Sequence, residues 1–393
     1  MIEGKDIKTQ AGTLRFGLVG GASGSFIADV HRKAALFDGQ AELAAGCFSS
    51  KYERTLETGK RLGLDPQRLY RDHGEMAEKE AAREDGIDFV IIATPNYHHY
   101  PAAKAFLQRG IHVVCDKPLT LQVEEAEELA RLAEEKGLLF CVTYAYSQYP
   151  AVKQAQMMIK NGEIGDIQVV VAEYPQGWMA TPVEQEGNKQ AAWRTDPEKS
   201  GISNCVGGDI GTHIENTVSY ITGLEIAELC ARLDIFGAEG RTLDTNAHIL
   251  VKYKNGAVGS YWCSQVAVGY DNGLSVRIFG TKGTIEWRQE DPNYLIVRKL
   301  NQPVQVLSRG NPYFHPAAAG MSRVPAGHPE GYYEAFANTY LKFTTALLKL
   351  KQGLELTEED LDFPDVQAGL QGVKFIHKCV ESSRRGSVWV QFD

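Results

Sequence analysis

A chain of 393 residues with 43% hydrophobic side chains is long enough to bury one large core or two ordinary ones. Its net charge of −9 comes from interspersed acids and bases, with no basic block to track a phosphate backbone, which argues against a nucleic-acid partner. No apolar run reaches the length of a membrane span or, at Met1–Asp6, of a signal peptide, and seven scattered cysteines without a C-x-x-C read as free thiols, so a soluble cytoplasmic protein is expected.

Residues 14–19 read as a strand, Gly20-Gly21-Ala22-Ser23-Gly24-Ser25 as a tight turn, and Phe26, Ile27, Val30, Ala34 and Phe37 recur at helical spacing. Strand, glycine-rich turn and helix is the arrangement that sets backbone N–H groups and a helix N-terminus against a pyrophosphate. The strict G-x-G-x-x-G is not met, because Ala22 and Ser25 fill its second and third glycine positions. Apolar strands at 43–48, 88–93, 111–115 and 138–142 alternate with helices at 51–63, 99–109 and 123–136. That alternation predicts a parallel sheet covered on both faces, with ligands at the carboxyl ends of its strands. Ser49, Ser50 and Lys51, then Thr94, Pro95, Asn96 and His99, and then Asp116 and Lys117 all fall at such ends. No acid stands after the second strand, where a dinucleotide's ribose usually finds one; hydroxyls beside Lys51 and Arg54 suit a 2′-phosphate, so NAD and NADP both stay open.

Residues 144–165 read as the crossover into a second domain, giving expected domains of 1–145 and 146–393. Strand-like runs at 167–174, 225–236, 246–254, 257–267, 273–280, 283–288 and 294–299 then follow without helices between them, which predicts a largely antiparallel sheet with one open face. Asn255-Gly256 joins two of these runs as a hairpin. Residues 175–206 and 302–330 read as long loops; helices at 330–351 and 358–382 and a short strand at 387–391 complete the chain. Within Gly207–Ser219, Asp209 and His213 are four residues apart, and on a helix both would project from one face while Ile210, Ile214, Val218 and Ile221 face the core. A carboxylate beside an imidazole suits proton transfer near neutral pH. Lys117, between an acid and a proline, suits the same work at the mouth of a cleft, and a turn-stabilising ion pair with Asp116 equally well. No Cys/His cluster has metal-site spacing, and no G-x-S-x-G marks a serine nucleophile.

Taken together, the Gly20–Ser25 turn, Ala93-Thr94-Pro95-Asn96 with His99, Cys115-Asp116-Lys117-Pro118, Ala192-Trp193-Arg194, Gly208-Asp209-Ile210-Gly211-Thr212-His213, Phe279–Thr284 and His328-Pro329-Glu330-Gly331 resemble the glucose–fructose oxidoreductase / inositol dehydrogenase (Gfo/Idh/MocA) family over nearly the whole length. The resemblance implies an N-terminal Rossmann domain and a C-terminal α+β domain for substrate and oligomerisation. It implies that Pro95, Asn96, Lys117, Trp193 and Arg194 meet the cofactor, and that Lys117, Asp209 and His213 are catalytic; Gly20 to Ser25, Ser49, Ser50, Lys51, Thr94, His99 and Asp116, at the strand ends, are expected at the cofactor as well. Asp116 stands where the family more often has Glu. Tyr146, Trp178 and His328 are candidates for the substrate wall.

The expected activity is NAD(P)-dependent oxidation of a secondary hydroxyl on a sugar, glycoside or cyclitol, with His213 or Lys117 as the base. A redox-assisted glycosidase that returns its hydride is the second reading, and a non-catalytic dinucleotide sensor the third. The open sheet and the family pattern imply a homodimer or homotetramer.

Overall fold

The computed structural model describes residues 12–392; the opening residues read above for a signal peptide lie outside that range. The chain packs as two compact units, one running to Ala145 and resuming over Tyr332–Leu370, the other made of Tyr146–Gly331 and the segment from Gln371. Residues 332–370, expected with the second domain, therefore belong to the first unit. The reason is apolar: Phe343 of the helix Tyr332–Lys351 meets Phe89 edge-on at 5.3 Å, and Phe89 stacks on Phe16 at 5.5 Å. Deleting a buried ring of this kind costs about 3–5 kcal/mol.

The first unit holds β1 (Leu14–Val19), β2 (Ala41–Cys47), β3 (Phe89–Ile92), β4 (His112–Cys115) and β5 (Phe140–Val142), in the order β2-β1-β3-β4-β5 with every pair parallel. Helices α1 (Phe26–Phe37), α2 (Tyr52–Leu62), α3 (His73–Ala81), α4 (His99–Gln108) and α5 (Val123–Glu135) accompany the strands. This is the Rossmann arrangement, and its near-continuous apolar strands follow from burial on both faces. Helix α3 was not anticipated, because its segment has few apolar residues. Its signal was local: Asp72 accepts from the Glu75 N–H at 2.8 Å, and Glu75 accepts in return from the Arg71 N–H at 2.9 Å.

The second unit holds α6 (Pro150–Lys160) and a nine-stranded sheet: β6 (Ile167–Pro175), β7 (Ile226–Asp234), β8 (Asn246–Tyr253), β9 (Val258–Ser264), β10 (Ser275–Gly280), β11 (Gly283–Arg288), β12 (Tyr294–Lys299), β13 (Gln305–Ser308) and β14 (Val390–Gln391). Neighbouring strands are antiparallel except β6 and β9, which run parallel. Strand β13 lies inside a stretch expected to be loop; its residues are exposed or half-buried, so it carries no burial pattern. On β8, Ile249, Val251 and Tyr253 are buried, while His248, Leu250 and Lys252 face outward. One face of the sheet is thus covered and the other open. All seven cysteines are free thiols. Among the described residues no helix is long and apolar enough to cross a membrane.

Candidate active site

The turn after β1 is shaped by close approach. Gly20 has φ +90°, and a Cβ there would sit 2.4 Å from the Ala93 carbonyl oxygen at the end of β3. The Gly20 and Ala22 N–H groups donate to Cys47 and Phe48, which ties the turn to the end of β2. Helix α1 then begins at Ser25 without a side-chain cap, so its first N–H groups point toward the turn. Nearby, Asn96 Nδ2 and Thr94 Oγ1 are buried and without a partner. A bare helix N-terminus, a glycine cradle and orphaned amide and hydroxyl groups fit a dinucleotide's phosphates and ribose. At the end of β2, the Ser49 hydroxyl accepts from the Lys51 N–H at 3.2 Å, Ser50 and Lys51 are exposed, and Arg54 donates to the Ser23 carbonyl at 3.3 Å.

Asp116 and Lys117 follow β4. The Asp116 carboxylate accepts from the Lys117 N–H at 2.8 Å and from the Thr143 hydroxyl at 3.1 Å. Burial works against its ionisation, but the His31 imidazole 4.0 Å away, together with Lys117 and His99, holds the carboxyl below its usual range. His99, expected at the cofactor, is fully buried, with Nδ1 2.7 Å from the Pro118 carbonyl and Nε2 3.0 Å from that of Thr94. These contacts tie the segments after β3 and β4 together, and burial pushes its pKa down.

In the second unit, Asp209 and His213 do not share one α-helix. Asn204–Asp209 forms a π-turn, with bonds from Gly208 N to Ser203 O and from Ile210 N to Cys205 O, and α9 (Gly211–Thr222) begins after it. Two short helices, α7 (Lys189–Arg194) and α8 (Pro197–Ser200), precede it inside the segment read as a loop. Gly211 allows the change of helix type, since a Cβ there would lie 2.6 Å from Val206 Cα. The expected core face holds: Ile214, Val218 and Ile221 are buried, and Gly223 closes α9 in the left-handed conformation. His213 falls in the first turn of α9 with its ring centroid 4.6 Å from that of Tyr146.

Asp209 is gripped on both oxygens. Arg194 Nη2 lies 3.2 Å from Oδ1, and Gln265 Nε2 donates to Oδ2 at 2.9 Å. The guanidinium also stacks on Trp193 at 4.4 Å and approaches Trp178 at 5.7 Å. The Tyr146 hydroxyl meets that of Tyr174 at 2.8 Å and accepts from Asn272 Nδ2 at 3.2 Å. Gln176 donates to the same Asn272 at 2.8 Å, and Trp178 to Gln176 at 2.9 Å. Tyr146, Trp178, Trp193 and Arg194 thus gather with Asp209 and His213. His328 does not join them; it is exposed, and its carbonyl accepts from Arg309. Among the described residues no His, Cys, Asp and Glu cluster could hold a metal ion.

Sequence reasoning missed Asn204, Asp244, Gln265, Tyr174 and Asn272, because neutral amides and a lone acid in distant segments carry no spacing signal. It also missed Glu215, two residues past His213. Glu215 is only 3% exposed, and burial pushes its carboxyl up to about 8. The folded protein therefore keeps a proton on Glu215 that the unfolded chain loses above about 4.5. The stability this group contributes is full below that value and is lost as pH rises toward 8, at up to about 1.4 kcal/mol per pH unit. Glu215→Gln is expected to flatten this slope, which urea unfolding at pH 5 and pH 8 will check; an unchanged slope removes the assignment.

Comparison with known proteins is consistent with this geometry. Residues 14–144 match the model of an oxidoreductase family with an NAD-binding Rossmann fold, and residues 152–286 match the GFO/IDH/MocA C-terminal domain. The Bacillus subtilis oxidoreductase YfiI is 40% identical over 381 residues, covering 96% of this chain and 97% of its own. The crystal structure of an inositol dehydrogenase homolog from Azotobacter vinelandii with NADH and myo-inositol superposes with a TM-score of 0.88 at 38% identity, over 96% of this chain and 97% of that one. Levoglucosan dehydrogenase of Pseudarthrobacter phenanthrenivorans is 29% identical over 265 residues, 61% of this chain and 66% of its own.

Proposed function

Because the chain belongs to the Gfo/Idh/MocA family and is an NAD(P)-dependent dehydrogenase, we propose that it oxidises a secondary hydroxyl of a neutral cyclitol or sugar. The observation that carries this reading is Asp209, held as an acceptor by Arg194 and Gln265 just ahead of His213. The side chains around them, Tyr146, Tyr174, Gln176, Trp178 and Asn272, are all uncharged donors and acceptors or rings. Arg194 pairs with Asp209, and the remaining side chains of this wall offer hydrogen bonds suited to hydroxyls. Ring stacking and paired hydroxyl contacts suit a polyol face. The names of the inositol and levoglucosan relatives point the same way.

Bound nicotinamide supplies the hydride acceptor. His213 takes the proton of the reacting hydroxyl while the carbon that bears it is oxidised. Lys117 provides a positive charge for developing alkoxide character. Asp209 accepts from a neighbouring hydroxyl and so fixes which carbon reacts. In the first unit, the Gly20–Ser25 turn, Thr94, Pro95 and Asn96 hold the dinucleotide. Ser49, Ser50 and Lys51, with no acid at the end of β2, leave room for a 2′-phosphate. The open face of the nine-stranded sheet, with Leu250 and Val258 about half exposed, is where a second copy would pack in a dimer or tetramer. Seven free thiols suit a reducing cytoplasm.

The test is spectroscopic. Purified protein is titrated with NADH and NADPH by fluorescence, and reduced nicotinamide is then followed with inositols, aldoses, levoglucosan and aryl glucosides. Reduction by a neutral polyol is the expected result. Aglycone release without net reduction would shift the reading to a redox-assisted glycosidase, and turnover confined to phosphorylated sugars would overturn it.

A further inference from the structure

We infer that Gln265 is a positioning residue of this enzyme: with Asn204 it forms an amide relay that holds Asp209 as an oriented, ionised acceptor. The inference rests on the reading of Asp209 and His213 given above. Gln265 follows directly on β9 and is fully buried. Its backbone is fixed on both sides, its N–H donating to Thr245 at 2.8 Å and its carbonyl accepting from Met179 at 3.0 Å. Its side chain donates to Asp209 Oδ2 at 2.9 Å and accepts from Asn204 Nδ2 at 2.6 Å.

The order of donors follows from valence. An ionised carboxylate can only accept, so Gln265 turns its NH2 toward it; the Gln265 carbonyl then requires a donor, which the Asn204 NH2 supplies. Asn204 opens the π-turn that ends at Asp209, so the relay closes a ring between the two ends of that turn and the end of β9. Arg194 occupies Oδ1. One cation and one neutral amide fix both oxygens without cancelling the charge twice, which leaves the carboxylate a strong acceptor for a substrate hydroxyl. A carboxylate anchored at one oxygen alone would be free to change rotamer, and productive geometry is sensitive to displacements of that size.

The test is a double-mutant cycle on the full chain, with Gln265→Leu and Asp209→Ala separately and together. NAD is the oxidant, and myo-inositol, levoglucosan and D-glucose are the trial substrates. Gln265→Leu is expected to lower kcat/KM about tenfold or more in the parent and less than twofold in the Asp209→Ala background, with NADH affinity unchanged. Equal losses in both backgrounds would show a merely structural role and overturn the relay. A parental rate in Gln265→Leu beside a strongly impaired Asp209→Ala would also overturn it while leaving the site reading intact. A parental rate in Asp209→Ala would overturn both. Should Gln265→Leu fail to fold, Gln265→Glu keeps the shape, turns the donor into an acceptor, and is expected to show the same dependence on Asp209. Should none of the three polyols be oxidised, the same cycle is read with the polyol that the screen of inositols, aldoses and glucosides identifies, and a screen in which no polyol is oxidised overturns the site reading and the relay with it.

Discussion

His213→Ala is expected to lower turnover at least a hundredfold while NADH binding stays within a factor of about three. A positioned general base contributes roughly two to four orders of magnitude, and alanine offers no proton acceptor. The substitution spares the fold. His213 is only partly buried, in the first turn of α9, and the residues that anchor that helix, Ile214, Val218 and Ile221, are untouched. Alanine also favours the helical backbone. On the role proposed for Lys117, a positive charge for developing alkoxide, Lys117→Ala is expected to cause a loss of similar size. Steady-state rates with the polyol found by screening, alongside NADH fluorescence titrations, separate chemistry from cofactor binding. Near-parental rates in both variants would remove the catalytic assignment.

Asp244→Ala is expected to cost about 3–5 kcal/mol of stability. The Asp244 carboxylate is buried and accepts from the Ser203 hydroxyl at 3.0 Å and from the N–H groups of Asn204, Cys205 and Val206 at 2.9, 3.1 and 3.2 Å. These are the first donors of the π-turn, and without the Asp244 carboxylate the Asn204 and Val206 N–H groups and the Ser203 hydroxyl lose their acceptor, while the Cys205 N–H keeps the main-chain carbonyl of residue 244 at 3.1 Å. Each such orphan costs about 1–3 kcal/mol, reduced as the turn relaxes. Because this turn carries Asn204 at one end and Asp209 at the other, turnover should fall as well. Asp244→Asn keeps one acceptor oxygen and should lose less. Urea unfolding measures the first effect, and a loss under 1 kcal/mol would mean that the turn is held by something else.

How far these residues could be read in advance varied with the range of their interactions. Strands β1, β3 and β4 were legible because burial on both faces leaves continuous apolar runs, and α9's core stripe because Ile214, Val218 and Ile221 repeat at helical spacing. Asp209 was misplaced within that helix: its π-turn depends on a distant acid, Asp244, and on a clearance at Gly211 that no local propensity encodes. The segment 175–206 reads as loop in one dimension, yet it holds α7, whose Arg194 meets Asp209.

The sequence by itself determined the class of chemistry. It did so through the resemblance that the glycine turn, the lysine after a buried strand and the aspartate and histidine four apart carry together; each alone is a short-range pattern that a structural turn, an ion pair or a helix cap explains as well. Only the tertiary structure decided how the acid is held. Gln265 lies 56 residues from Asp209, and Asp244 lies 40 from Asn204. Amides and buried carboxylates have no characteristic spacing, so their roles exist only once the sheet brings them against the turn that they hold.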